Sequence, residues 1–277
     1  MNMLKGVTIG QHYPADSVIH KMDARFKIVM ILLYVIALFM AAGPISYGLM
    51  IVFAISVIIC SKIPLKFIIR GLRPILWIVG FTLILHTFST QEGDLVWQWS
   101  RFSVYNGGIL RGVMMGLRLI LLISITSLLT LTTTPIDLTD GLEALLKPFK
   151  KIGLPAHELA MMMTIALRFV PTLIEEADKI IKAQTARGAD FEEGGLIARG
   201  KSMLPILVPL FISAFRRADD LAMAMEARCY RGGENRTKMK ELKSGVRDYL
   251  GVISLSLLMA IMMYFRFSKL DSWTTLL

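Results

Sequence analysis

Only two cysteines, Cys60 and Cys229, occur in this chain of 277 residues. One lies in an uncharged run and the other in a charged segment, so no disulfide framework is indicated. A cleavable signal peptide is not expected either. Residues 1–25 are polar and have no apolar core followed by a small-residue cleavage site, which leaves the first apolar run to direct insertion. The four histidines, His12, His20, His86 and His157, show no metal-ligand spacing. No Ser/His/Asp set has a recognisable local context, so neither a metal, nor a cofactor, nor hydrolysis by this chain is expected. What is missing most conspicuously is charge. Ile28–Ser61 runs 34 residues without a charged side chain, and Pro74–Gln91, Leu119–Ile136 and Tyr249–Phe265 run 18, 18 and 17.

A helix that crosses a bilayer needs about 17–25 mainly apolar residues. Ile28–Ser61 is long enough for two, and Gly43-Pro44 supplies the turn between them. Five spans follow, in keeping with a composition that is 55% hydrophobic and a mean hydropathy of +0.59. The polar stretch Gln91–Gly108 reads as an external loop whose Trp97 and Trp99 suit the membrane interface. The net charge of +10 is unevenly placed. With the N-terminus inside, the inner segments hold Lys5, Lys21, Arg25, Lys27, Lys62, Lys66, Arg70, Arg73 and the 18 Lys/Arg between Ile136 and Tyr249. Arg101, Arg111, Arg118, Arg266 and Lys269 are all that remain elsewhere. This asymmetry predicts a cytoplasmic N-terminus and an extracellular C-terminus. An anionic inner leaflet accounts for the positive charge without a nucleic-acid partner.

The expected fold is therefore an all-α integral membrane protein of about five transmembrane helices with long amphipathic cytoplasmic helices. Residues 1–134 read as an N-terminal bundle of about four spans, 135–247 as a cytoplasmic region and 248–277 as a last span. Within the middle region, Thr134-Pro135 followed by Asp137 has the chemistry of a helix start. A helix beginning after Pro155 should kink or restart at Pro171, where a donor is lost. From Thr172 to Ala186, Leu173, Ile174, Ala177, Ile180, Ile181 and the stem of Gln184 share one face, and Glu175, Glu176, Asp178, Lys179 and Lys182 take the other. That makes an amphipathic helix of about four turns, too charged to cross a bilayer, with Gly188 as its C-cap. Ser202–Phe215 is uncharged, is interrupted by Pro205 and Pro209, and reads equally as a segment dipping into the membrane or one packed on the spans.

One pattern occurs twice. Glu176–Gly188 reads EADKIIKAQTARG and, 41 residues on, Arg217–Cys229 reads RADDLAMAMEARC. Ala177/Ala218, Asp178/Asp219, Ala183/Ala224, Ala186/Ala227 and Arg187/Arg228 are identical, and Ile180 matches Leu221. A helix C-terminus favours a cation by about 0.3–1 kcal/mol, but that does not require so long a matched lead-in. Arginine between small residues can reach a partner closely and offers a planar fork to carboxylates or to exposed carbonyls. The candidate contact residues are Ala186, Arg187, Gly188, Ala227, Arg228 and Cys229. Gly195–Ser202 also fits the G-x-x-x-x-G-K-S phosphate-loop spacing. It has no β-branched apolar run before it, and Pro205 follows almost at once, so it is read as a coincidence. The same holds for Ala198-Arg199-Gly200, which lacks the helical lead-in, and for the glycosylation-like Asn235–Thr237.

These features together resemble the transmembrane T component of energy-coupling factor (ECF) vitamin and metal transporters. The resemblance is carried by Gly10–His20 (GQHYPADSVIH), Asp23-Ala-Arg25, Thr133–Thr139 (TTPIDLT), Leu167–Pro171 (LRFVP) and the two Ala-Arg-small tripeptides. The second of them departs from the family's usual Ala-Arg-Gly at Cys229. The resemblance implies a non-enzymatic coupling subunit of an ABC-type importer. Its arginine-tipped helices would dock into two ABC-type ATPase subunits and hold a membrane S component that binds the substrate. Exposed methionines (Met161–Met163, Met223, Met225) would suit a surface that accepts several partners, or ordinary helix packing. The competing reading is a self-contained secondary transporter, which needs an ionisable site within the spans. Only Arg111, Arg118 and His86 are available for it.

Overall fold

The computed structural model describes residues 13–268 except 42, 91–93, 100–101, 154, 190, 192–194, 233–241 and 243. The triplet Asn235–Thr237 and Gly10–His12 lie outside the described residues. Helix α1 (Ala24–Met40) begins where the Asp23 carboxylate accepts the Arg25 N–H at 2.9 Å. It stops before Gly43-Pro44, and α2 (Pro44–Ser61) starts on the proline, whose missing N–H costs nothing in a first turn. Next come α3 (Leu65–Leu72) and α4 (Leu76–Ser89), bent by 53° relative to each other. Pro74 lies in the break, where it removes a donor and disfavours the helical conformation of Arg73's neighbourhood.

The stretch read as an external loop contains a hairpin, β1 (Leu95–Trp99) against β2 (Phe102–Tyr105), antiparallel with Trp99 opposite Phe102. Helix α5 (Asn106–Thr132) is 27 residues long. It starts well before the charge-free run at Leu119, and so carries Arg111 and Arg118 inside it. Helix α6 (Pro135–Leu146) has the expected cap: Thr134 Oγ1 accepts the Asp137 N–H at 3.1 Å and donates to Asp137 Oδ2 at 2.8 Å. A 3₁₀ segment, Lys147–Ile152, leads to Gly153 at φ +90°. Helices α7 (Ala156–Ala186), α8 (Leu196–Ser202), α9 (Leu204–Ala227) and α10 (Val246–Phe267) complete the chain.

Two expectations are corrected here. Pro171 does not restart the helix: α7 runs through it for 31 residues. Residues 172–186 are therefore the charged end of a longer helix rather than a separate one of about four turns. The ladder on either side outweighs the single missing bond, and the neighbouring Thr172 Oγ1 donates to the Phe169 carbonyl at 2.8 Å. Likewise Ser202–Phe215 is not a distinct segment. Most of it is the first half of α9, with Pro205 in the first turn and Pro209 inside.

Among the described residues, α2, α5, α7 and α10 are long and apolar enough to cross a membrane, and the bent α3–α4 pair makes a fifth if it is one span. The inclusion of α7 follows from its continuity, because its first half is apolar. Helix α1, at 17 residues, is about 26 Å long, slightly under the roughly 30 Å hydrocarbon core. The fold is that of an all-α membrane protein.

The chain divides into two compact units. One contains Gly10–Leu142 with Leu242–Leu277 and the other Glu143–Glu241. In the first, Tyr34, Leu38, Met50, Ala54, Leu121, Ile125, Leu255 and Met262 form a buried core between α1, α2, α5 and α10. Helix α5 turns Gly108, Gly112 and Gly116 toward α4. A Cβ at Gly112 would stand 3.1 Å from the Leu83 carbonyl oxygen and one at Gly108 3.0 Å from that of His86, so the two helices meet backbone to backbone. The last carbonyls of α1 are satisfied by arginines. Arg118 donates to Ala41 O at 3.3 Å, and Arg266 donates to Met40 O at 3.2 Å. Arg118 also lies over the Phe39 and Tyr47 rings. Its place is thus explained by packing, which weakens the secondary-transporter reading that needed it as a transport site.

Around the start of α1 there is a buried polar node. Asp248 accepts the Asp23 N–H at 2.9 Å on Oδ1 and the Gly245 N–H at 2.7 Å on Oδ2. Arg25 grips the Asp23 carboxylate with Nε and Nη2 and reaches the Leu242 carbonyl at 3.0 Å. The Lys27 ammonium donates to Thr132 O at 3.0 Å and Thr133 Oγ1 at 3.1 Å, at the junction of α5 with the loop before α6.

Candidate functional site

The six candidate residues lie in the second unit, at the ends of α7 and α9. Both helices end in the same way, bond for bond. In α7, Gly188 N–H donates to Thr185 O and Ala189 N–H to Gln184 O, each at 3.0 Å. In α9, Cys229 N–H donates to Glu226 O at 2.8 Å and Tyr230 N–H to Met225 O at 3.0 Å. These are the paired bonds of a Schellman cap, and every residue in one set lies 41 positions from its counterpart in the other. Arg187 (φ −86°, ψ 4°) and Arg228 (φ −93°, ψ 14°) occupy the same capping position in nearly the same conformation. The next residue is left-handed in both, Gly188 at φ +87° and Cys229 at φ +55°.

The left-handed position explains the small third residue of the tripeptide. A Cβ on Gly188 would meet nothing within 4 Å, so backbone conformation rather than space selects glycine there. Cys229 adopts the conformation anyway, at a cost of about 1–2 kcal/mol. Replacing Cys229 with glycine is expected to stabilise the chain by about 1 kcal/mol, and Gly188→Ala to destabilise it by about 1 kcal/mol. Thermal unfolding of the two purified variants should show shifts of opposite sign. Shifts of the same sign would mean that the two caps are not equivalent.

Residues Ala186 to Gly188 and Ala227 to Cys229 are exposed. No described residue bonds to either guanidinium, so each presents five unengaged donors to the solvent. By contrast Ala198-Arg199-Gly200, the look-alike, lies within α8 with Gly200 helical, and the phosphate-loop match Gly195–Ser202 has its Gly-Lys-Ser inside that helix with no strand before it. The face assigned to Leu173, Ile174, Ala177, Ile180, Ile181 and Gln184 is half-buried throughout, while Glu175, Lys179 and Lys182 are exposed.

Helices α7 and α9 touch through equivalent positions of the repeat. Glu176 and Arg217, 41 residues apart, form an ion pair at 2.9 Å, and Ser213 also hydrogen-bonds Glu176. Each lies 11 residues before its own arginine, about 16 Å at 1.5 Å per residue. A second contact gives the direction: Tyr230, just past the end of α9, reaches His157 Nε2 at the start of α7 at 3.5 Å. His157 Nδ1 in turn meets Glu143 at 3.0 Å. The two helices thus run in opposite senses, and their arginine tips point away from each other, on the order of 30 Å apart. Sequence reasoning missed both contacts. The first was within reach, since the aligned repeat puts an acid opposite a base at one position. The second was not, since nothing local links residues 157 and 230.

Two equal arms with a cation at each end, joined by one charged contact, have the form of a symmetric clamp for two similar surfaces. Exposed Met162, Met163 and Met223 and the apolar Leu204, Leu207, Val208, Phe211 and Phe215 leave broad surfaces of both helices uncovered. The model of the cobalt transport protein CbiQ family matches residues 15–239. The energy-coupling factor transporter transmembrane protein EcfT of Acidaminococcus fermentans is 54% identical over 256 residues, 92% of this chain and 95% of that one. Its namesakes from Clostridium kluyveri and Bacillus subtilis are 54% and 49% identical over 260 and 264 residues, covering 94% and 95% of this chain and 96% and 100% of theirs. Family match, full-length likeness and apolar helices agree, and this multi-pass membrane chain belongs to the CbiQ/EcfT family of energy-coupling factor transporter transmembrane proteins.

Proposed function

We propose that this chain is the coupling subunit of an ABC-type importer, linking ATP hydrolysis by two cytoplasmic ATPases to reorientation of a substrate-binding S component during uptake of vitamins or related micronutrients. The observation that carries the proposal is the pair of matched, exposed arginine caps with unengaged guanidinium groups. Arg187 docks in one ATPase and Arg228 in the other, with Ala186, Gly188, Ala227 and Cys229 keeping the approach close. Nucleotide-driven closure of the ATPases moves both tips, and the rigid helices carry that motion to the S component against their uncovered apolar sides. This chain itself performs no catalysis. Residues 1–134 and 248–277 form the membrane part, and 135–247 the coupling part. The distribution of Lys and Arg supports a cytoplasmic N-terminus, cytoplasmic arginine tips and an extracellular C-terminus.

Cys229 is exposed beside Arg228 and reports on this surface directly. In a Cys60→Ser background, a membrane-impermeant maleimide should label Cys229 in inside-out vesicles but not in right-side-out cells. Bound ATPases should slow that labelling at least tenfold. Rapid labelling from outside, or equal rates with and without ATPases, would reject the proposed placement.

A further inference from the structure

We propose that α3 is an interfacial helix that binds the phosphate groups of anionic phospholipids through Lys66, Arg70 and Arg73, with Lys62 beside them. The sequence from Ala24 to Gln91 contains no Asp or Glu, yet it holds these four cations within 12 residues. All four are exposed, and among the described residues none is paired with a carboxylate. Such a cluster, left uncompensated inside the protein, calls for an anionic partner.

The helix is divided into sides that match a membrane surface. Ile68 is buried with Ile63, Leu128 and Leu131, and Leu72 packs against that cluster. Gly71 faces Ser127, where a Cβ would come within 3.3 Å of the hydroxyl. Next around the helix are Leu65 and Ile69, 62% and 61% exposed, one turn apart. Beyond them, Lys66, Arg70 and Arg73 at i, i+4 and i+7 share one stripe. The order core, exposed apolar, cationic is that of a helix whose apolar edge meets acyl chains and whose cations meet headgroups. The 53° bend to α4 turns α3 away from the direction of that apolar helix. Arg70 is also held in place, its guanidinium 5.8 Å from the Phe67 ring, which in turn lies 5.1 Å from Tyr13. An oriented guanidinium between two other cations is a better receiver of phosphate than three free side chains.

Full-length chain in nanodiscs of phosphatidylcholine with a minor share of phosphatidylglycerol provides the test. After exchange into detergent, the co-purifying lipid is quantified by mass spectrometry. Wild type should retain phosphatidylglycerol selectively, with less at high salt. Each basic residue near an anionic surface contributes roughly fivefold, so Lys66→Gln/Arg70→Gln/Arg73→Gln should lower the selectivity by roughly a hundredfold. Lys66→Arg should keep the selectivity, and so should Lys179→Gln/Lys182→Gln, which removes two cations elsewhere. Undiminished selectivity in the triple variant, or equal loss in the Lys179/Lys182 control, would overturn the proposal. Release of the lipid by millimolar inorganic phosphate would also overturn it, by assigning the cluster to a soluble anion. The Arg187→Ala/Arg228→Ala variant should retain phosphatidylglycerol like wild type, which separates this site from the coupling role.

Discussion

ATP-driven uptake by the complex should fall to background when Arg187 and Arg228 are both replaced by alanine, while membrane insertion and folding of this chain persist. Folding persists because both side chains are exposed and unengaged, and the cap bonds run through backbone atoms. The lost helix-end interaction is about 0.3–1 kcal/mol for each helix. Docking is another matter. Truncating one member of a buried, hydrogen-bonded charge pair at an interface costs about 2–5 kcal/mol, or roughly thirtyfold to several thousandfold at 1.4 kcal/mol per decade. With two tips on one rigid pair of helices, failure of either dissipates the stroke of the other. Single changes should be milder, and should differ from each other if the two ATPases are not identical. Arginine-to-lysine changes divide the explanations. Lysine keeps the cation at the helix end but loses the planar fork, so a pure capping role predicts normal uptake and a docking role predicts impaired uptake. Measured in proteoliposomes, wild-type uptake by the double alanine variant would remove the coupling role.

Much of this surface was readable before any coordinates, because its determinants are local. Gly188 after a periodic helix predicts a left-handed cap, and the 41-residue repeat predicts that Cys229 takes the same conformation despite its side chain. Thr134, Pro135 and Asp137 specify a helix start within four residues, and Gly43-Pro44 a break within two. The failures have the opposite character. A proline is a local breaker, but whether a helix survives it depends on the ladder and packing on both sides, so continuity through Pro171 and Pro209 was out of reach. With that continuity, α7 became long and apolar enough to join the candidate spans. The charge-free run from Pro74 located α4 but not α3, whose cations hid a helix that bends away from it. The opposed direction of α7 and α9 rests on Tyr230 meeting His157, a pairing that no window of sequence contains.

The same distance in sequence separates Asp23 from Asp248, and the largest stability effect is expected there. Asp248→Ala should destabilise the chain by about 3–5 kcal/mol, whereas Asp178→Ala should cost less than about 0.5 kcal/mol. Both aspartates form charged contacts on helices, so the difference must come from burial. Asp248 is 3% exposed and closes two backbone donors, Asp23 N–H and Gly245 N–H. Without it, each is left unsatisfied at about 1–3 kcal/mol, and the cap of α10 is lost as well. Asp178 pairs with Lys182 across one turn in solvent, where such pairs contribute little. The neighbouring carboxylate adds a dependence on pH. Burial acts to raise the Asp23 pKa, but the Arg25 hydrogen bonds and the charges of Arg25 and Lys27 outweigh it and hold it below the usual aspartate value. A lowered carboxylate pKa stabilises the fold above the ordinary value and stops doing so as pH falls through the lowered one. Acid should therefore reduce the stability of wild type more steeply than that of Asp23→Asn, whose amide cannot titrate. Thermal unfolding of the three variants and wild type across the acidic range reads both effects. Equal losses in Asp248→Ala and Asp178→Ala would show that the node at the start of α1 does not hold α10 in place.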